Sequence, residues 1–257
     1  MRTLRLAGLV WPPLAIVAAV VLGWHLLVVG LDVSPFVAPT PGQVAAAVGD
    51  NLPVIVDNTW TTLAEAGLGL LMGNVAAVLV AVLFCYVRRL RELFFPMLLA
   101  LQAVPIIAVA PILILWLGPG LMSKAVLGAF ITFPITLVSL AKGFESCPRE
   151  VTELLYSLKA SKRQEILLAL APSALPMFMA ALKLGASTAV LAALAAEYVG
   201  AQHGLGFLIQ DAQTRLEVPL MWGVVLVVMA VGVLAYALFA ALERALPAET
   251  TTAARAR

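Results

Sequence analysis

Charge is scarce in this chain. Asp, Glu, Lys and Arg make up 12% of its 257 residues, about half the share of a soluble domain. Histidine occurs twice, at His25 and His203, and cysteine twice, at Cys85 and Cys147. None of these stands at a metal-ligand spacing, so no metal centre is expected. H-E-x-x-H and G-x-S-x-G are missing, which removes the commonest zinc-protease and serine-hydrolase signatures. No Lys follows a Gly anywhere, so the phosphate-binding G-x-x-x-x-G-K-[ST] loop is missing too. Any nucleotide chemistry must come from another subunit. No basic tract is dense enough to suggest nucleic acid, and the net charge of +2 says little about partners.

Apolar residues fill the space that charge leaves. They form 63% of the chain, with a mean hydropathy of +1.04, and they come in runs of about 20, the length that crosses a bilayer as a helix. Lipid offers the backbone no hydrogen bonds, so spanning segments are helices or closed barrels. Continuous runs rich in Ala, Leu and Val predict helices; a barrel strand alternates over about 10 residues. The fold expected is all-α, a single membrane domain over 1–257. Its six spans fall at about 8–29, 63–85, 97–117, 125–140, 177–199 and 221–242. The first starts like a signal peptide, with Arg2 and Arg5, but runs too long for one and is read as an uncleaved span. A polar tail at 247–257 is expected to be disordered.

Orientation follows from where cations collect. With the N-terminus inside, the cytoplasmic segments hold Arg2, Arg5, Arg88, Arg89, Arg91, Lys142, Arg149, Lys159, Lys162, Arg163, Arg244, Arg255 and Arg257. The outside segments hold Lys124 and Arg215. Lys183 is expected to reach the cytoplasmic surface along its stem. Both termini are therefore expected in the cytoplasm, and Cys85 and Cys147 fall on that reducing side. Trp11, Trp24, Trp60, Trp116 and Trp222 all lie near span ends, where amphipathic rings prefer to sit.

The polar insertion at 145–175 is the most informative segment. Val151, Leu154, Leu155 and Leu158 share one helical face. Lys159-Ala160-Ser161 breaks that helix, Ser161 can cap a second one, and Glu165 favours its start. The second helix is expected to stop near Pro172. From the residues alone this is a helix pair that either contacts a partner or rests in solvent.

The segment resembles the "EAA" loop of ABC importer permeases, with Glu153 in the Glu position and Pro172 in the Pro position. Lys159 stands where that family usually has Gly, Leu154 and Leu155 replace two Ala, and Ala169 and Ala171 replace bulkier residues. The likeness continues through Thr62-Leu63-Ala64-Glu65 with Gly69 and Gly73, and through Gln102-Ala103-Val104-Pro105, Ala110-Pro111 and Trp116-Leu117-Gly118. It extends to Phe133-Pro134, Ala196-Glu197-Tyr198-Val199-Gly200 and Gly204-Leu205-Gly206-Phe207. Together these resemble the nitrate/sulfonate/taurine-type permeases. Glu65 and the stretch from Gln102 to Pro111 are more similar to the branch linked to thiamine-precursor pyrimidines and riboflavin; many sulfonate-type members carry Arg where Glu65 stands.

The resemblance implies a bacterial inner-membrane permease working as a homodimer, with no covalent chemistry and no cofactor of its own. A separate ATPase subunit would hold ATP and Mg and dock on Glu150, Glu153, Leu154, Leu155, Lys159, Ala160, Ser161, Lys162, Arg163 and Pro172. An extracytoplasmic solute-binding protein would deliver substrate to the loops at 31–60 and 200–220.

The path or gate is expected at Glu65, Gln102, Pro105, Pro111, Pro134, Glu197, Gly204 and Gly206. Intramembrane carboxylates are costly and therefore functional candidates, though Glu65 and Glu197 could equally anchor at an interface or cap loop amides. Pro105, Pro111 and Pro134 free backbone carbonyls, which suits a cavity lining as well as plain kinks. Gly69 and Gly73 suit close packing, either between copies or internally. With Glu65 in the path and almost no cation in the membrane interior, a neutral or weakly basic heterocycle is expected ahead of an oxidised anion such as sulfonate, taurine or nitrate. An ion-gradient transporter is the rival of another class, but clear internal repeats and mid-span acids are missing.

Overall fold

A computed structural model describes residues 2–245, with side chains from residue 15 onward except at 88, 99 and 106. The tail read at 247–257 lies outside the described residues. All regular structure among the described residues is helical. The chain divides into two compact units. The first comprises the chain up to Asp57 with Leu208–Val227; the second comprises Asn58–Phe207 and the chain from Val228 on.

Eleven helices are described in chain order: α1 Arg2–Gly30, α2 Pro41–Asp50, α3 Leu52–Tyr86, α4 Arg88–Ala100, α5 Ile106–Leu117, α6 Leu121–Glu145, α7 Arg149–Ser157, α8 Lys162–Glu165, α9 Ala171–Gly200, α10 Leu205–Thr214 and α11 Val218–Ala245. Among the described residues, four stretches are long and apolar enough to cross a membrane: Leu52–Tyr86, Leu121–Glu145, Lys162–Gly200 and Val218–Ala245. A fifth exists if the bent pair Arg89–Ala103 and Ile107–Leu117 counts as one, and Ala15–Gly30 is a shorter apolar helix.

Three sequence expectations change. The run at 97–117 is not one straight helix. A 3-10 turn at Leu101–Ala103 separates α4 from α5, and the two helix axes differ by 102°. Pro105 lacks the N–H that would continue the ladder, and it disfavours helical geometry at Val104, which is extended at ψ 123°. The second helix of the 145–175 insertion does not stop at Pro172. It passes through a π-helical turn, Ile166–Leu170, into α9, so that Pro172 follows the turn directly inside the continuous stretch Lys162–Gly200. Finally, α6 starts at Leu121, which brings Lys124 inside the helix and buries it.

Local sequence explains where several helices begin and end. Thr40 caps α2 through a capping box with Gln43, and Pro41 opens the helix. Three helices end in the same two-bond motif. After α7, the N–H of Ala160 donates to Leu155 O and that of Lys159 to Tyr156 O. Val33 and Asp32 repeat this after α1, and Glu217 and Leu216 after α10. The pattern is the Schellman C-cap, which places one residue in the left-handed region. Here those residues are Asp32, Lys159 and Leu216, none of them glycine.

In the first unit, Val44 of α2 is buried, Gly223 of α11 makes room for Val48, and Trp24 stacks on Trp222 at 5.5 Å. The second unit is organised by α6, which packs along α9 and against α3. Positions four apart on α6 form the α3 seam. Gly69 sits against the Gly128 backbone, and Gly73 leaves space that Thr132 fills. Thr136 donates to Asn74 Oδ1 at 2.8 Å. Small residues and paired polar groups are what hold helices together where lipid supplies no hydrophobic drive. The Gly69/Gly73 pair thus packs internally. Ala77, Ala81 and Phe84 of α3 continue the seam against Leu137, Leu140 and Ala174.

Candidate functional site

Two groups of candidate residues lie toward opposite ends of α9. At its C-terminal end, Glu197 is fully buried. Its Oε1 accepts from Thr62 Oγ1 at 2.7 Å and its Oε2 from the Gly206 N–H at 2.7 Å. The Thr62 oxygen in turn accepts from the Leu205 N–H at 2.9 Å, and Asn58 Oδ1 accepts from the Gly204 N–H at 2.6 Å. Three successive amides, at the end of the α9–α10 loop and the start of α10, are therefore held by side chains of α3 and α9. Gly204 and Gly206 are needed for close approach. A Cβ on Gly204, whose φ is +109°, would strike the Glu197 carboxyl. One on Gly206 would meet the Leu194 carbonyl and Glu197 Cβ.

Glu65 joins the same cluster. It is 2% exposed, and its Oε1 accepts from Lys124 Nζ at 2.5 Å. Its carboxyl and that of Glu197 lie within hydrogen-bond reach of each other. The sequence had singled out Glu65, Glu197, Gly204 and Gly206, and the structure brings these four together. It adds Lys124, Asn58 and Thr62, which sequence reasoning missed. A lysine four residues into an apolar helix was the available signal, obscured by starting that span at 125.

The other path candidates do not converge. Gln102 and Pro105 lie exposed at the break between α4 and α5, Pro111 lies exposed on α5, and Pro134 is buried within α6. A cavity of about 450 Å³ opens beside the break, with Pro105, Ile107, Ile131, Thr188, Leu191 and Ala195 in its wall. Among the described residues, no charged side chain lines it. The Thr188 hydroxyl sits 3.1 Å from the Leu184 and Gly185 carbonyls, so its proton is engaged and only its lone pairs remain to offer.

Ahead of α9 stands the 146–170 helix pair. Ser161 caps α8 in a capping box with Gln164, and Lys162 pairs with Glu165 at 3.0 Å. Glu150, Glu153, Leu154, Lys159, Ser161, Lys162, Arg163 and Pro172 are exposed, while Leu155 and Ala160 are half-buried. Leu154, Tyr156 and Leu158 turn apolar surface outward. The base of the pair is tight: Gly143 backs onto Ala174, and Ser146 Oγ bonds to Gly143 O at 2.7 Å and Ser173 O at 3.4 Å. Arg91 of α4 pairs with Glu145 at the end of α6. These two, with Lys162, Phe84 and Phe95, border a cavity of about 630 Å³. Lys183, expected at a surface, pairs with Glu243 of α11 at 2.6 Å.

Against known proteins, the family described as "Binding-protein-dependent transport system inner membrane component" matches residues 69–247. The chain is 32% identical over 214 residues to the formylaminopyrimidine transport permease protein ThiX of Halalkalibacterium halodurans, covering 82% of this chain and 85% of that one. It is 31% identical over 241 residues to the riboflavin transport system permease protein RibX of Chloroflexus aurantiacus, covering 92% and 90%. In fold it is similar to a chain of the MetNI methionine ABC transporter in an inward-facing conformation. That likeness has a TM-score of 0.67 at 19% identity and covers 76% of this chain and 97% of that one.

Proposed function

The chain belongs to the family of binding-protein-dependent transport system inner membrane components, and from that premise we propose how it works as the multi-pass permease of an ABC importer. Six spans cross the bacterial inner membrane with both termini in the cytoplasm, counting α1 as the first and the α4–α5 pair as the third. Two copies form the path and act as one permease domain each. A separate ATPase holds ATP and Mg; an extracytoplasmic binding protein delivers the solute.

The observation that carries this reading is the 146–170 helix pair. Its apolar side chains face outward while its own hydrogen bonds are satisfied locally. An exposed apolar face on a rigid base suits a docked partner. The base transmits what the partner does. Gly143 against Ala174 and Ser146 on Ser173 tie α6 to the start of α9. The 30 residues of α9 form a rod of about 45 Å that ends at the Glu197 cluster. ATP-driven closure of two ATPase subunits would draw the helix pairs together, tilt α6 and α9, and reach the extracytoplasmic loop at 201–206. The two states must differ in partner affinity for this to work.

The substrate proposed is a small neutral or weakly basic heterocycle of the pyrimidine vitamin-precursor type. Glu65 no longer argues for it, because Lys124 compensates that carboxyl. The support is the cavity beside Pro105, which has apolar walls, a hydroxyl left with acceptor capacity and, among the described residues, no cation. An oxidised anion wants donors or positive charge, which this wall does not supply. The two permease relatives carry different heterocycles in their names.

Pull-down of the tagged chain from native membranes in mild detergent, with mass spectrometry of proteins and small molecules, tests the reading. An ATPase and a binding protein carrying a heterocycle are expected. Recovery of the chain alone, under conditions that hold other such complexes together, would overturn it and favour a gradient-driven transporter. A sulfonate on the binding protein would overturn only the substrate.

A further inference from the structure

The Glu65–Lys124–Glu197 cluster is unbalanced in two independent ways. The first is charge. Two carboxylates and one ammonium, each no more than 4% exposed, would leave one negative charge without a partner. Such charges are avoided in interiors because nothing there replaces their hydration. The second is hydrogen bonding. Glu197 has a donor on each oxygen, from Thr62 and from Gly206. Glu65 Oε1 has Lys124. Glu65 Oε2 is buried and has no donor among the described residues, and the carboxyl next to that of Glu65 is that of Glu197, itself an acceptor when ionised.

One proton corrects both. Placed on Oε2, it turns Glu65 into a donor toward Glu197 and reduces the cluster to one ammonium and one carboxylate. A water molecule would correct only the hydrogen-bond count. We propose that the cluster is a proton-binding site, with the proton on Glu65 Oε2 and shared with the Glu197 carboxyl, and that this proton keeps the 201–206 loop seated. Release of the proton to solvent leaves two facing carboxylates. The charged and polar groups around them are Lys124 from α6, Thr62 and Asn58 from α3, and the loop amides. Repulsion then falls on Glu197, the residue that holds the Gly206 amide and the Thr62 hydroxyl. The loop loosens as pH rises and is restored as it falls. This inference stands on the chain's own groups and does not depend on the importer reading.

Infrared spectroscopy of the purified full-length chain in lipid is the test. A protonated carboxyl absorbs apart from a carboxylate. At neutral pH the wild type is expected to show one buried protonated carboxyl per chain, exchanging slowly in heavy water. Glu65→Gln is expected to abolish it. Absence of the band in the wild type, or its survival in Glu65→Gln, overturns the proposal; the first result is also what a bound water would give. Thermal unfolding against pH supplies the second readout. The wild-type midpoint is expected to fall as the band disappears at higher pH. Glu65→Gln, which brings its own N–H donor and no charge, is expected to remove that fall. Equal pH dependence in both overturns the role in seating the loop.

Discussion

Near one end of α9, the oxygens of Glu197 take donors from Thr62 and Gly206, 135 and 9 positions away, inside a site closed to solvent. Ahead of the other end, between residues 149 and 165, the side-chain hydrogen bonds described reach no further than four positions. Thr152 bonds to Arg149, Ser157 to Glu153, and Ser161 to Gln164. Polar residues at the first end are consumed in joining α3, α6, α9 and the loop. Those at the second complete their own short helices and leave Leu154, Tyr156 and Leu158 uncovered. The Glu197 cluster turns its polar groups inward on one another, whereas the 146–170 pair is self-supporting and leaves apolar side chains exposed. A single helix thus connects a region that closes on itself to one that leaves apolar surface exposed.

The largest expected effect breaks the first half of that contrast. Lys124→Met removes the cation that pairs with Glu65 in a cluster of two carboxyls, and loss of a buried partner typically costs about 3–5 kcal/mol. The thermal midpoint in detergent should drop sharply. Lys162→Met, at the exposed pair with Glu165, should stay within about 1 kcal/mol. Equal effects would erase the distinction between the two regions.

Gly206→Ala comes next. The added methyl meets the Leu194 carbonyl, Glu197 Cβ and the Tyr198 amide nitrogen, so backbone rather than a side-chain tip must yield. Overpacking of this kind costs about 1–3 kcal/mol, read as a lower midpoint. An equivalent loss of stability from Leu154→Asp would contradict the comparison. At 59% exposure that change should leave folding within about 0.5 kcal/mol. It should instead weaken capture of the ATPase by about 2 kcal/mol, or roughly thirtyfold, as an interface anchor would.

The two regions also differ in how far the amino-acid sequence revealed them. The 146–170 pair was largely legible, because its signals are local. Val151, Leu154, Leu155 and Leu158 fall on one face, and Ser161 reads as a cap, which the structure completes as a box with Gln164. Pro172 misled because proline ends a helix in one context and is carried inside one in another, and the π-helical turn that decides between them leaves no signature in residue types. The Glu197 cluster was legible only as members. Glu65 and Glu197 stand out as carboxyls in costly places, and Gly204 and Gly206 through the family resemblance. That Lys124 answers Glu65 across 59 positions is a fact of helix packing, which spacing along one chain does not encode. The break at Pro105 lies between these cases: the kink was readable, its 102° angle was not.

The smallest expected effect tests whether the 146–170 pair is shaped by its own chain or by a partner. Lys159 occupies the left-handed position of the Schellman cap at φ +53°, which costs a residue with a Cβ roughly 1–2 kcal/mol. Glycine avoids that cost but loses about 0.5–1 kcal/mol of chain entropy on folding. Lys159→Gly should therefore stabilise the isolated chain by at most about 1.5 kcal/mol, seen as slower amide exchange at Ala160, whose N–H closes the cap onto Leu155. If the lysine is there only because its Cβ is tolerated, ATPase capture should stay level or improve with the firmer turn. If capture weakens while exchange slows, the ammonium itself contacts the partner, and the family's usual glycine has been given up for that contact. The first outcome keeps the pair a self-contained fold whose apolar face does the binding; the second extends the binding face across the turn to Lys162 and Arg163.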